Sequence, residues 1–179
     1  MKIYTIGHST RAIEDFAAML QAAGIAAVAD VRRFPRSRRH PHFNGDALQR
    51  SLAEAGIFYR HFEALGGRRG PASAKPSVNT LWREEPFRNY ADYAETEEFR
   101  AALESLASLA AERPVAIMCA EAVWWRCHRR IIADHLIARG DEVVHILDRN
   151  KLEPATLTPG ATIAPGGTVR YPPKEPRLL

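Results

Sequence analysis

Cysteine is scarce in this sequence: two residues in 179, Cys119 and Cys127. So few exclude the disulfide framework of a small secreted domain, and they point to a reducing, cytoplasmic setting. Long apolar runs are missing too. None approaches the about 18 residues that cross a bilayer, so no membrane partner is expected. Met1 to Ile6 leads straight into a strand pattern broken by Gly7-His8, without the layout of a signal peptide. There is no internal repeat and no low-complexity tract.

At 179 residues with 46% apolar content, one domain with a real core is the expectation. Net charge is +4 and pI about 9.3, a modest excess that is unevenly placed. Between Val31 and Gly70 stand nine arginines against three acids, Asp46, Glu54 and Glu63. Such a run is either a solvated basic face or a patch for phosphate or nucleic acid.

Hydrophobic spacing orders the chain. Lys2 to Ile6 reads as a strand, and Ser9 or Thr10 is placed to cap the helix after it. Phe16, Met19, Leu20 and Ala23 recur at helical spacing up to Gly24, and Ile25 to Val31 is a second strand. A strand–helix–strand unit of this length makes parallel pairing the expectation. Arg33 to Phe43 is a loop, Asp46 to Ala55 a helix and Ile57 to Phe62 a strand. Gly66 to Pro86 reads as a long irregular excursion of the kind that is often functional. Phe87 to Ala94 and a Thr96-capped segment read as helices, and Glu142 to Leu147 as a strand. Ala161–Ile163 and Thr168–Tyr171 can pair around Gly166-Gly167, and the closing PPKEPRLL reads as a loose tail. Residues 1–150 thus form an α/β domain, and 151–179 a C-terminal extension. The expected fold is a three-layer α/β sandwich, a mainly parallel sheet with helices on both faces.

The chemistry concentrates in Val115–Arg130, VAIMCAEAVWWRCHRR. Four apolar residues form a buried strand; Cys119 and Glu121 follow, then Trp124-Trp125, then Arg126 to Arg130 on the expected first turns of a helix. A strand end facing a helix start is where α/β folds bind ligands, and its free N–H groups favour anions and thiolates. Cys119 there suits a nucleophile, a metal ligand or an inert buried thiol. Glu121 suits a general acid/base or a cap, and His8 and His128 a proton carrier. Arg129 suits a phosphate ligand, and Cys127 packs on its helix or joins a site. A metal bound by Cys119, Glu121, Cys127 and His128 is the alternative, although the cysteine spacing matches no usual zinc motif. In a parallel sheet His8, Ser9, Asp30 and Arg32 fall on the same rim as Cys119. Asp30 with Arg32 or Arg36 can equally be a structural ion pair. Trp124-Trp125 is the best stacking candidate among the aromatics, since adjacent loop residues do not both face inward.

Several segments together resemble the domain-of-unknown-function family 488 (DUF 488). They are Thr5-Ile6-Gly7-His8-Ser9, Asp30-Val31-Arg32 with Pro35-Arg36-Ser37-Arg38, Tyr59-Arg60-His61 with Leu65-Gly66-Gly67-Arg68, Asn89-Tyr90-Ala91-Asp92-Tyr93, and Met118-Cys119-Ala120-Glu121 with Cys127-His128-Arg129. The resemblance runs from about Lys2 to Leu147 and implies a compact α/β domain without a settled activity. Its motifs fall on the residues already selected at the strand ends. Where such proteins often carry a Pro between Glu121 and Cys127, this chain has Ala122 to Arg126.

The functional expectation is an enzyme acting on a phosphate-bearing substrate, nucleic acid or nucleotide. Cys119, Glu121, His8 and His128 carry the chemistry, and Ser9, Asp30, Arg32, Arg36, Arg38, Arg68, Cys127 and Arg129 bind the substrate, with no cofactor. A non-catalytic nucleic-acid binding module is the rival, alongside the metal-binding alternative.

Overall fold

A computed structural model describes residues 1–73 and 75–174 of the chain. Strands β1 (Lys2–Gly7), β2 (Ala27–Asp30), β3 (Phe58–His61), β4 (Val115–Cys119), β5 (Glu142–Asp148) and β6 (Lys151–Pro154) form one sheet in the order β3-β2-β4-β1-β5-β6. The first five run parallel, and β6 joins the edge antiparallel to β5. The helices are α1 (Ile13–Ala22), α2 (Gly45–Glu54), α3 (Glu85–Tyr93), α4 (Glu97–Glu112) and α5 (Arg129–Ala138).

The sheet is buried on both faces, and its central strand β4 is accordingly apolar at every position, not alternately. In β4, Val115 and Ile117 pack into one core with Leu103 and Leu106 of α4 and Ile132 and Leu136 of α5. Ala116 and Met118 point the other way, to Phe16 and Leu20 of α1 and Leu48 and Leu52 of α2. This is the three-layer α/β sandwich expected from the sequence. Thr96 caps α4 as expected, its Oγ1 accepting the Phe99 N–H at 3.3 Å.

The structure departs from expectation in three places. Neither Ser9 nor Thr10 caps α1; the cap position is Ala12, with no side-chain bond. The reason is that His8 and Ser9 are still paired to the chain after β4, donating N–H to the Cys119 and Ala120 carbonyls at 2.9 Å each. The Arg126–Arg130 cluster does not share one helix start. Trp124–Arg126 is a 3-10 turn, Cys127 is extended, and α5 begins only at Arg129. Strand β6 is unanticipated, its lone strand-like residue Leu152 lying exposed on the sheet edge. The short β7 (Thr162–Ile163) and β8 (Val169–Arg170) pair antiparallel as the hairpin expected around Gly166-Gly167. After β8, Tyr171 enters the core, donating its hydroxyl to Asp134 at 2.7 Å. The tail expectation falls chiefly on residues 175–179, and the loop expectation includes Ala74; both lie outside the described residues. Among the described residues no helix is long and apolar enough to cross a membrane.

Candidate functional site

Parallel pairing sets the C-terminal ends of β1, β2 and β4 side by side, with Gly7 opposite Cys119 and Asp30 opposite Met118. Above these ends opens a cleft of about 710 Å³. Among the described residues five arginines line it, Arg32, Arg33, Arg36, Arg68 and Arg126, against one carboxylate, Glu121. The remaining walls include His8, Phe34, Cys119, Cys127 and His128.

Two glycines make the close packing beneath the cleft feasible. A Cβ on Gly7 would stand 2.0 Å from the Glu121 carbonyl oxygen, and one on Gly67 2.9 Å from His128 Nδ1. The loop carrying Gly66-Gly67 is pinned from α3. Tyr90 donates its hydroxyl to the Leu65 carbonyl at 2.7 Å, and Tyr93 to that of Ala64 at 2.6 Å. In the same helix Asp92 accepts from Ser77 at 2.6 Å and from Asn79 at 2.7 Å. The Asn89–Tyr93 segment therefore shapes one wall, with Tyr90 lining the cleft.

The β2 side of the rim is a closed polar network. Arg32 donates to buried Asp30 through Nε at 2.9 Å and Nη2 at 2.6 Å. The Tyr59 hydroxyl donates to the same carboxylate at 2.7 Å. Arg32 Nη1 lies 3.3 Å from His8 Nε2 and can only donate, so His8 gives its Nδ1–H to the Ser9 carbonyl at 2.9 Å. His8 is stacked on Phe43 with ring centroids 4.2 Å apart. Burial foremost, with Arg32 assisting against the Ser9 bond, lowers its pKa to about 4. Asp30 is thus held in an ion pair, and His8 stays neutral with both ring nitrogens engaged.

The β4 side is different. His128 Nε2 lies 2.8 Å from the Val31 carbonyl, which can only accept, so Nε2 carries the proton. In the neutral ring Nδ1 then turns a lone pair toward Cys127 Sγ at 3.7 Å and Cys119 Sγ at 4.0 Å. Buried Arg129 donates through Nε to Cys127 Sγ at 3.4 Å, through Nη1 to Thr5 at 3.3 Å, and through Nη2 to the Glu121 carbonyl. Contact with Cys127, then burial, pushes the Cys119 thiol up. Burial also opposes the Cys127 thiolate, but contact with Cys119 and the neighbouring His128 and Arg129 outweigh it and draw that thiol well below its ordinary value.

The other selected residues divide by position. Glu121 is exposed at the cleft, its Oε1 accepting the Val123 N–H at 3.0 Å. Ser9 lines the cleft with φ 50°, and Arg36 and Arg68 are exposed on its walls. Arg38 is exposed but outside the cleft lining, and Arg129, 1% exposed, lies beneath the floor. Trp124 stacks on His145 at 4.3 Å, leaving Trp125 half exposed. Sequence reasoning placed Arg126 beside Cys119 without making it a ligand, made no ligand of Arg33, and passed over Phe34, an aromatic inside an arginine run that the structure leaves 63% exposed.

Residues 12–136 match the model of the family described as Domain of unknown function DUF488. The chain belongs to the DUF488 family. No match was found among curated proteins or among solved structures. The DUF488 match ends within α5 and takes in β2, β3, β4 and the turn bearing Cys127 and His128, leaving only the β1 end of the rim outside it.

Proposed function

We propose that this DUF488 protein is an enzyme acting on a phosphate-bearing substrate, a nucleotide or a nucleic acid, held in the cleft over β1, β2 and β4. The observation that carries the reading is the cleft's charge: five arginines and one carboxylate around a thiol–imidazole floor. Planar guanidinium groups suit phosphate oxygens, and a volume of about 710 Å³ suits a ligand of nucleotide size. Exposed Phe34 beside Arg33 and Arg36 offers a face for a base to stack on. Arg33, Arg36, Arg68 and Arg126 take the phosphates, while Arg32 is already committed to Asp30. Glu121, the single carboxylate among the described residues that line the cleft, is the general acid/base. Cys119 belongs to the reacting centre, but not as a free nucleophile: its thiol is pushed up, and 4.0 Å from His128 Nδ1 is long for proton transfer.

The test measures binding of a mononucleotide and of a short single-stranded oligonucleotide over a range of salt, then turnover on panels of phosphate mono- and diesters. Binding that weakens with salt, with a shallower slope in the Arg36→Ala/Arg68→Ala variant, is expected. Glu121→Gln is expected to keep binding and lose turnover. Absence of binding to every phosphate-bearing probe overturns the reading. Binding by the wild type with no turnover assigns the cleft to a non-catalytic module instead.

A further inference from the structure

Cys119 Sγ, Cys127 Sγ and His128 Nδ1 all lie within 4.8 Å of one another, drawn from a strand end and from the turn before α5. Three ordinary explanations account for them poorly. His8 satisfies both its ring nitrogens with oxygen and nitrogen partners, whereas His128 Nδ1 meets two sulfurs, at 3.7 and 4.0 Å. A Cys–His nucleophile needs one thiol against the base, and here two thiols share it at comparable distance. An inert core thiol sits among apolar groups, whereas Cys127 takes an N–H from a buried guanidinium at 3.4 Å.

A metal centre accounts for all three. With zinc–sulfur near 2.3 Å and zinc–nitrogen near 2.0–2.1 Å, tetrahedral geometry places sulfur and nitrogen about 3.6 Å apart. The observed 3.7 and 4.0 Å are close to that spacing. The second shell is already built. The Val31 carbonyl holds the Nε2–H tautomer and aims the Nδ1 lone pair at the sulfurs, as a ligating histidine requires. Arg129 donates to Cys127 Sγ and so stabilises thiolate there. Gly67 leaves the space beside Nδ1 that any Cβ would fill.

We propose that Cys119, Cys127 and His128 bind a zinc-class divalent cation, with its fourth position open to the arginine-lined cleft. Two sulfurs and one imidazole select a soft or borderline cation over magnesium or calcium. Three protein ligands with one open position are the pattern of a catalytic centre, whereas structural sites close the fourth. Glu121 is not a ligand: its carboxylate is tied to the Val123 N–H and stands apart from the cluster. Cation binding itself stands without the phosphate reading; only the assignment of the open position to substrate rests on it.

The test takes the full chain, purified without an affinity tag under reducing conditions from zinc-supplemented growth, and measures metal by elemental analysis. About one equivalent of zinc is expected, retained through gel filtration. Cys119→Ser, Cys127→Ser and His128→Ala are each expected to fall below about a tenth of an equivalent, with Glu121→Gln still loaded. Cobalt added to the stripped wild type is expected to give a thiolate-to-metal absorption band that Cys119→Ser/Cys127→Ser lacks. The wild-type measurements decide even where a ligand variant fails to fold. Less than about a tenth of an equivalent, with no uptake of added zinc, overturns the proposal. So does a protein isolated without zinc whose mass is lower by two hydrogens, which makes the pair a disulfide. Loss of zinc from Glu121→Gln overturns the ligand set. Each outcome reads metal alone, so it is separate from any failure to bind phosphate.

Discussion

The two halves of the rim above β2 and β4 hold similar residue types in opposite states. Around Asp30, both carboxylate oxygens accept from Arg32, one also from Tyr59, and His8 uses both its nitrogens. Around His128, one nitrogen is satisfied by a carbonyl while the other is aimed at two thiols drawn to it from different elements. Polar groups that satisfy one another hold a fold together. Polar groups converging with coordinating capacity left over mark the place where something else binds. Charge type and position at a strand end do not separate the two cases; saturation of the hydrogen bonds does.

The contrast is sharpened most by Asp30→Ala. It strands the Arg32 guanidinium, buried at 5% exposure, without its partner, and is expected to cost about 3–5 kcal/mol in urea unfolding. A loss under about 1 kcal/mol would mean that the network is not the structural half of the rim.

Acid comes next. His8, His135 and His145 are each lowered from 6.5 to about 4, chiefly by burial. Between those values the unfolded chain takes up protons that the folded chain refuses, so stability rises with pH across the window. It is complete above about 6.5 and declines as pH falls toward 4. Denaturation midpoints measured across that window test this, and a flat profile contradicts it.

Phe34→Ala is expected to leave stability within about 0.5 kcal/mol while weakening nucleotide or oligonucleotide binding by about 1–3 kcal/mol. Unchanged affinity removes the stacking face from the site. The smallest effect belongs to Cys119→Ser in the metal-free protein, where unfolding is expected to move by no more than about 0.5 kcal/mol. A shift as large as that of Asp30→Ala would make the β4 side structural too and erase the contrast.

Much of the scaffold was legible because each cue is local. Apolar runs marked the strands, Thr96 announced α4, and Gly24 and Gly140 stand just past the helices they stop, with φ 70° and 88°. Strand β6 was hidden because an edge strand of four residues, only partly covered, carries no apolar signature. Ser9 was misassigned as a cap because its backbone pairing to Ala120 is a long-range contact that no local pattern encodes. At the site, parallel topology was enough to bring His8, Asp30, Cys119 and Glu121 toward one rim, but Arg129 read as a phosphate ligand until its burial beneath the floor was seen.

By itself the sequence determined the succession of elements along the chain: which segments are apolar on both faces, which are helical, and that arginines and both thiols gather at strand ends. Those follow from periodicity and chain order, properties of neighbours. Only the tertiary structure decided which of these groups are spent and which are free. Whether Arg32 meets Asp30 or a ligand, and whether His128 meets a carbonyl, a sulfur or both, depends on distances between residues as many as 97 positions apart.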